Sequence, residues 1–174
     1  MRSMTISALA FCTLGLSACF GPSPQSLQFD PTAPPTLESA RTIFSNRTFI
    51  THSLHGTQIE YHKPNGRSFL WYPGNLGVVP ANWEVRSHLG SSHEICWQYP
   101  TSSRNGITGV SSKGRWQCSA SISFYSSVKE VLEGDPFNLA SGRVPYRLPR
   151  GSFSAQQLTQ KAGKSTDALK YVFP

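Results

Sequence analysis

Residues Gly56–Tyr72 read GTQIEYHKPNGRSFLWY, and this stretch decides the fold class. Two runs rich in aromatic and β-branched residues flank Lys63-Pro64-Asn65-Gly66. An Asn-Gly pair between such runs is a strong hairpin signal, because both residues tolerate positive φ. In the first run Ile59 and Tyr61 alternate with Gln58, Glu60 and His62, the period of two that a strand imposes. The second set is thereby predicted to face solvent.

Similar runs lie on both sides. RTFITH precedes, and NWEVRS, EICWQY and RWQCSASISF follow, separated by Gly, Pro, Asn and Ser. Trp83 and Val85 oppose Glu84 and Arg86, and Ile95 and Trp97 oppose Cys96 and Gln98. This predicts a meandering antiparallel sheet with one buried face. With about six or seven strands and few helices, residues 36–174 are expected to form a single mainly β domain, a small antiparallel meander sheet or barrel with short flanking helices. Thr36 is placed to cap the helix LESARTIF, whose Leu37, Ala40, Ile43 and Phe44 share one face and would lie across the sheet. Further on, a helical turn is expected at Val128–Leu132, a weak helix near Ser154–Lys161, and a terminal strand LKYVF. No internal repeat is evident.

The chemistry-bearing residues are scattered. His52 and His55, with Glu60 and His62 one strand on, have the composition of a metal or acid/base cluster. On a strand, however, positions i and i+3 point to opposite faces, so a solvated surface is the simpler reading. Ser91-Ser92-His93-Glu94 alternates faces in the same way, and no nucleophile elbow, phosphate-binding loop or nucleotide fingerprint occurs. No catalytic residue, metal site or cofactor is predicted, and the chain is read as a non-enzyme.

The N-terminus carries one basic residue, Arg2, and then a mostly apolar run that closes on Leu16-Ser17-Ala18-Cys19. The run has the length of a signal-peptide core and falls short of the ~20 residues that span a bilayer. Leu-Ser-Ala-Cys resembles the lipobox of bacterial lipoproteins. That resemblance implies a signal peptide over residues 1–18, cleavage before Cys19, and lipidation of the Cys19 thiol and the new amino terminus. Two or three acyl chains anchor stably where one is marginal. Phe20 follows, not the aspartate that retains such proteins in the inner membrane of enteric bacteria, so the outer membrane, facing the periplasm, is the expected location. Residues 19–35 are Pro- and Ser-rich and read as a tether, partly polyproline II.

Of the four cysteines, Cys12 leaves with the signal peptide and Cys19 carries lipid. Cys96 and Cys118 remain, and an exported, oxidising compartment permits them to pair. Such a bridge would stabilise the fold by about 3 kcal/mol in the chain-entropy model. Parity raises a conflict, because Cys96 falls on the polar side of its strand while Cys118 shares a side with Trp116, Ala120 and Ile122. Either a bulge between Trp116 and Cys118 or a bridge at a barrel rim would resolve it.

The pattern GTQIEYHKPNGRSFLWYPG…W…ICWQYP…GRWQC, with the match covering roughly Thr48 to Cys118, is similar to a family of small exported bacterial β-rich domains of unknown function. That similarity implies the fold and carries no catalytic motif.

The net charge is +7. An exported lipoprotein does not meet nucleic acid, so the charge points to anionic envelope surfaces: phospholipid head groups, lipopolysaccharide phosphates and peptidoglycan carboxylates. Arg143, Arg147, Arg150, Lys161 and Lys164, interleaved with Tyr146 and Phe153, are the expected contacts, against the plainer reading of a solvated basic surface. The expected function is therefore an envelope lipoprotein that binds a protein or an anionic envelope component. One alternative resembles the lipoprotein inhibitors of lysozymes or proteases, with Thr101–Gly114 as the inserted loop, although a basic loop does not suit a basic lysozyme. Another is a lipocalin-like carrier holding an apolar ligand among Tyr61, Trp71, Trp83 and Trp97, which a packed core would explain equally.

Overall fold

The computed structural model describes residues 36–88 and 92–173. In chain order its elements are α1 (Leu37–Phe44), β1 (Arg47–Ser53), β2 (Gly56–His62), β3 (Arg67–Trp71), β4 (Val79–Ser87), β5 (His93–Gln98), β6 (Trp116–Ala120), α2 (Ser121–Ser127), β7 (Val128–Glu133), α3 (Ala155–Lys161) and β8 (Tyr171–Phe173). The strands form one antiparallel sheet in the order β6-β5-β4-β3-β2-β1-β7-β8. Strands β1 to β6 are a plain meander, β7 returns to the free side of β1, and β8 adds outside it. Because the order begins at β6 and ends at β8, the sheet is open among the described residues. The fold is mainly β with short helices, as the strand patterning predicts. No described helix is long and apolar enough to cross a membrane.

The β2–β3 hairpin forms where Asn-Gly predicts it, in a different geometry. Lys63 N–H donates to Arg67 O at 2.8 Å and Gly66 N–H to Lys63 O at 3.1 Å. Within the turn only Gly66 has positive φ, at 81°. Pro64 presets the first turn position, and glycine takes the left-handed one, giving a three-residue loop in place of a two-residue turn.

The sheet is strongly curled. Tyr99, just beyond β5, donates its hydroxyl to Glu60 on β2 at 3.1 Å. Three strand spacings on a flat sheet would separate those strands by ~14 Å. The rings of Phe49 on β1 and His62 on β2 are 5.0 Å apart, and those of His62 and Trp83 on β4 are 4.9 Å apart. Phe124 on α2 spans from Phe49 to Trp97 at 5.3 and 5.2 Å, and Phe44 on α1 lies against Phe49. The two helices thus roof the concave face. α1 is capped by the Thr36 hydroxyl, which accepts from Ser39 N–H at 3.1 Å.

Burial on both faces replaces the predicted one-sided sheet. Ile50, Ile59, Tyr61 and Trp71 point to the convex side, where Phe137, Leu139, Leu148 and Leu158 of the C-terminal segment cover them. Phe49, Trp83, Val85, Ile95, Trp97 and Val131 fill the concave side. Register places His62 opposite Ser68 and Ser68 opposite Ala81, so His62 shares a face with Trp83 and is fully buried. The predicted solvent face of β2 is the inside of the curl.

The segment after β6 also departs from expectation. The strand predicted through Phe124 ends at Ala120, and the helical turn predicted at Val128–Leu132 is strand β7. Val131 and Leu132 lie opposite Phe49 and Thr48. Pairing along the otherwise bare edge of β1, with both side chains buried, overrides the weak local helix signal. α3 forms as predicted, with a full capping box between Ser154 and Gln157, and β8 occupies the predicted terminal strand.

Candidate functional site

Three loops meet at one end of the curled sheet. They are the β1–β2 turn, the β3–β4 connection and the long segment between β5 and β6. Asn105 organises them: its Oδ1 accepts from the N–H groups of Ile107 and Thr108, both at 2.9 Å, and its Nδ2 donates to the Tyr72 hydroxyl at 2.7 Å. Tyr72 in turn hydrogen-bonds His55 Nδ1 in the β1–β2 turn. Backbones close the contact. A Cβ on Gly106 would lie 2.3 Å from Asn75 Oδ1 and 2.6 Å from Pro73 O, so only glycine fits there.

Between these loops lies a half-open cleft of about 450 Å³, bordered by His55, Tyr72, Asn75, Tyr99, Arg104 and Asn105 among others. Its described lining includes Arg104 and His55 and several amide and hydroxyl groups, and no carboxylate among the described residues. A second cleft of about 350 Å³ runs under α2 and meets the first at Gln58, Leu70, Tyr99 and Gln117. Its one carboxylate is Glu60, which is 8% exposed.

The floor is a buried polar cluster. Tyr99 donates to both Glu60 oxygens, at 3.1 and 3.3 Å. Burial first, then the negative charge of Glu60 and the hydrogen bond to it, pushes the Tyr99 phenol well above its ordinary range. Trp97 Nε1–H donates to His62 Nε2 at 3.0 Å, so the ring proton of a neutral His62 is on Nδ1, which has no partner. Trp83 stacks on the His62 ring with an 18° interplanar angle. Aromatic packing encloses His62, and the cluster meets the clefts at Glu60, Trp97 and Tyr99.

The sequence-predicted residues fall in several places. Cys19, with the signal peptide and tether, lies outside the described residues. Cys96 and Cys118 are joined by a disulfide, S–S 2.03 Å. They stand directly opposite in the β5–β6 ladder, as do Gln98 and Trp116, so neither a bulge nor a rim is needed. Trp116 belongs to the polar face, where the Arg86 guanidinium sits 4.6 Å above its ring and pairs with Glu84. Glu94 and the two sulfurs form the one compact group of metal-ligating side chains among the described residues, but the disulfide leaves no thiolate to bind. His52, His55 and His62 are not brought together: His55 borders the first cleft, His52 the second, and His62 is enclosed.

Four of the five predicted contact cations hold the C-terminal segment in place. Arg147 Nε donates to Gly74 O at 3.2 Å, the Arg150 guanidinium to Leu54 O at 2.7 Å, and Lys164 Nζ to Pro136 O at 3.4 Å. Lys161 Nζ lies 5.1 Å from the Tyr146 ring centre and 5.7 Å from that of Phe153. Arg143 is exposed. Tyr61, Trp71, Trp83 and Trp97 are packed core residues, and only Trp97 borders either cleft. Thr101–Gly114 forms a wall of the first cleft. Tyr72, Asn75 and Asn105 are the site residues that sequence reasoning missed. The polar run Ser102-Ser103-Arg104-Asn105-Gly106 marks a loop, and nothing local shows what Asn105 reaches.

No family model matches the chain, and neither the curated proteins nor the solved structures contain a match.

Proposed function

We propose that this chain is a lipid-anchored, non-enzymatic binding protein of the bacterial cell envelope. Cys19 carries the anchor, and the cleft beside Arg104 receives the anionic part of an envelope component. The observation that carries the reading is the lining of that cleft. Its volume suits a small polar group; Arg104 and His55 line it, and among the described residues no carboxylate does, Glu60 of the adjoining cleft being held by Tyr99. A half-open site of that character favours a carboxylate or phosphate, since charge-assisted hydrogen bonds are the strong ones. The lipobox-like Leu16–Cys19 and the +7 net charge support an envelope location, where anionic components are within reach.

The test is calorimetric titration of the full chain in neutral detergent with paired probes that differ in charge. N-acetylmuramic acid is set against N-acetylglucosamine, and glycerol phosphate against glycerol. The acidic member of each pair binds, the neutral member does not, and Arg104→Gln weakens binding roughly tenfold, the loss of one charge-assisted hydrogen bond. Equal responses to acidic and neutral probes would defeat the proposal.

A further inference from the structure

The rim around the cleft carries a second feature, which the cleft's own chemistry does not require. The loop tips that form it are apolar and point outward: Leu54 is 87% exposed, Leu76 83% and Val110 65%. They belong to the three loops joined through His55, Tyr72 and Asn105, so they surround one mouth. Leu54 and Leu76 are the most exposed of the large apolar side chains among the described residues, and with Val110 and Ile107 they gather at one end, while Leu37 on α1 and Ile122 on α2 stand apart. Such a gathering marks an interaction surface.

Charge identifies the partner. Residues 54–55, 73–78, 101–115 and 143–150 contain no Asp or Glu. Arg104 stands on the rim, and Arg147 and Arg150 are held there by the carbonyls of Gly74 and Leu54; all three are exposed. Aliphatic tips that enter the head-group layer, ringed by arginines with no opposing carboxylate, complement an anionic bilayer.

We infer that this loop rim docks on an anionic lipid surface, with Leu54, Leu76 and Val110 inserted among the head groups and the arginines on lipid phosphates. The inference deepens the proposed function by naming a second membrane contact, independent of the lipid anchor and of any ligand within the cleft.

Hydrogen exchange of the full chain reconstituted into vesicles tests it. In vesicles containing phosphatidylglycerol, amides of residues 53–56, 73–78 and 104–112 exchange more slowly than in pure phosphatidylcholine. High salt removes the difference. The triple substitution Leu54→Ser, Leu76→Ser and Val110→Ser, at exposed positions that leave both cores intact, reduces the slowing roughly tenfold. Equal exchange in both vesicle types, or protection unchanged in the triple variant, overturns the inference. Protection reproduced by soluble glycerol phosphate without vesicles overturns it too, while supporting the cleft ligand.

Discussion

Tyr99 is the residue on which the floor of both clefts depends. Its hydroxyl donates to both oxygens of Glu60, which is 8% exposed at the wall of the second cleft, and a largely buried carboxylate that loses a hydrogen-bond donor is destabilised. Tyr99→Phe is therefore expected to lower unfolding free energy at pH 7 by about 1–3 kcal/mol, read from urea denaturation. The same variant has a pH signature. Burial raises the phenol pKa of Tyr99 well above, and that of Tyr125 to about 12 from, the ordinary value of 10.0. The folded chain then keeps protons that the unfolded chain releases, so their contribution is full below pH 10 and is lost as pH rises past it. Stability falls progressively above about pH 10, and the fall is shallower in Tyr99→Phe. Identical slopes for the two proteins would refute the assignment. The pairing itself was not legible in the sequence. Alternation shows that Glu60 and His62 share a face, but a period of two does not say which face is inside when both are covered. Glu60 meets Tyr99 only because the sheet curls, and curl leaves no mark at either position.

At the scale of elements, the β5–β6 ladder shows how far pattern reaches. Both strands and their pairing were readable from Trp, Ile and Cys at alternating positions. The apparent conflict between Cys96 and Cys118 came from treating Trp116 as a core residue. Trp116 instead lies under Arg86 on the polar face, where its amphipathic ring serves as a platform for a cation. With the register settled, the bridge closes a loop between residues 22 apart that includes the whole Asn105 wall of the cleft. Replacing both cysteines by alanine is expected to cost about 3 kcal/mol of stability, measured by denaturant midpoint at constant slope. The same change loosens the loop and weakens binding of the acidic probes. A double variant as stable as the native chain under oxidising conditions would show that the ladder alone fixes the hairpin. The element that local pattern does not reveal is β7, whose identity depends on the empty edge of β1, 82 positions earlier at Phe49 opposite Val131 by the register. A partner that distant is invisible to local propensity.

At the scale of the whole molecule, the described chain begins near one end of β1 and carries the apolar rim at the other. The described chain enters through α1 at the Arg47 end, while the apolar rim lies beyond Ser53. Seven residues of strand separate the ends, a span of about 23 Å. The tether read from residues 19–35 reaches up to ~50 Å if extended as polyproline II, so a domain anchored at Cys19 has the length of chain to turn its rim onto a bilayer. Anchor and rim differ in how they respond to salt. Acyl chains hold by burial of CH₂ groups, at ~0.8 kcal/mol each, and are indifferent to ionic strength. Arginines on phosphates are screened within about 10 Å at 0.1 M salt. On the proposed reading, the native chain incorporates radiolabelled palmitate and stays in the membrane pellet through a high-salt wash. Cys19→Ser incorporates none, and even as an uncleaved precursor it carries no thioether-linked label. Cleaved material lacking the lipid is released at high salt and retained at low salt by the rim alone. Label that persists in Cys19→Ser would remove the lipobox reading and leave the rim as the domain's own route to a membrane.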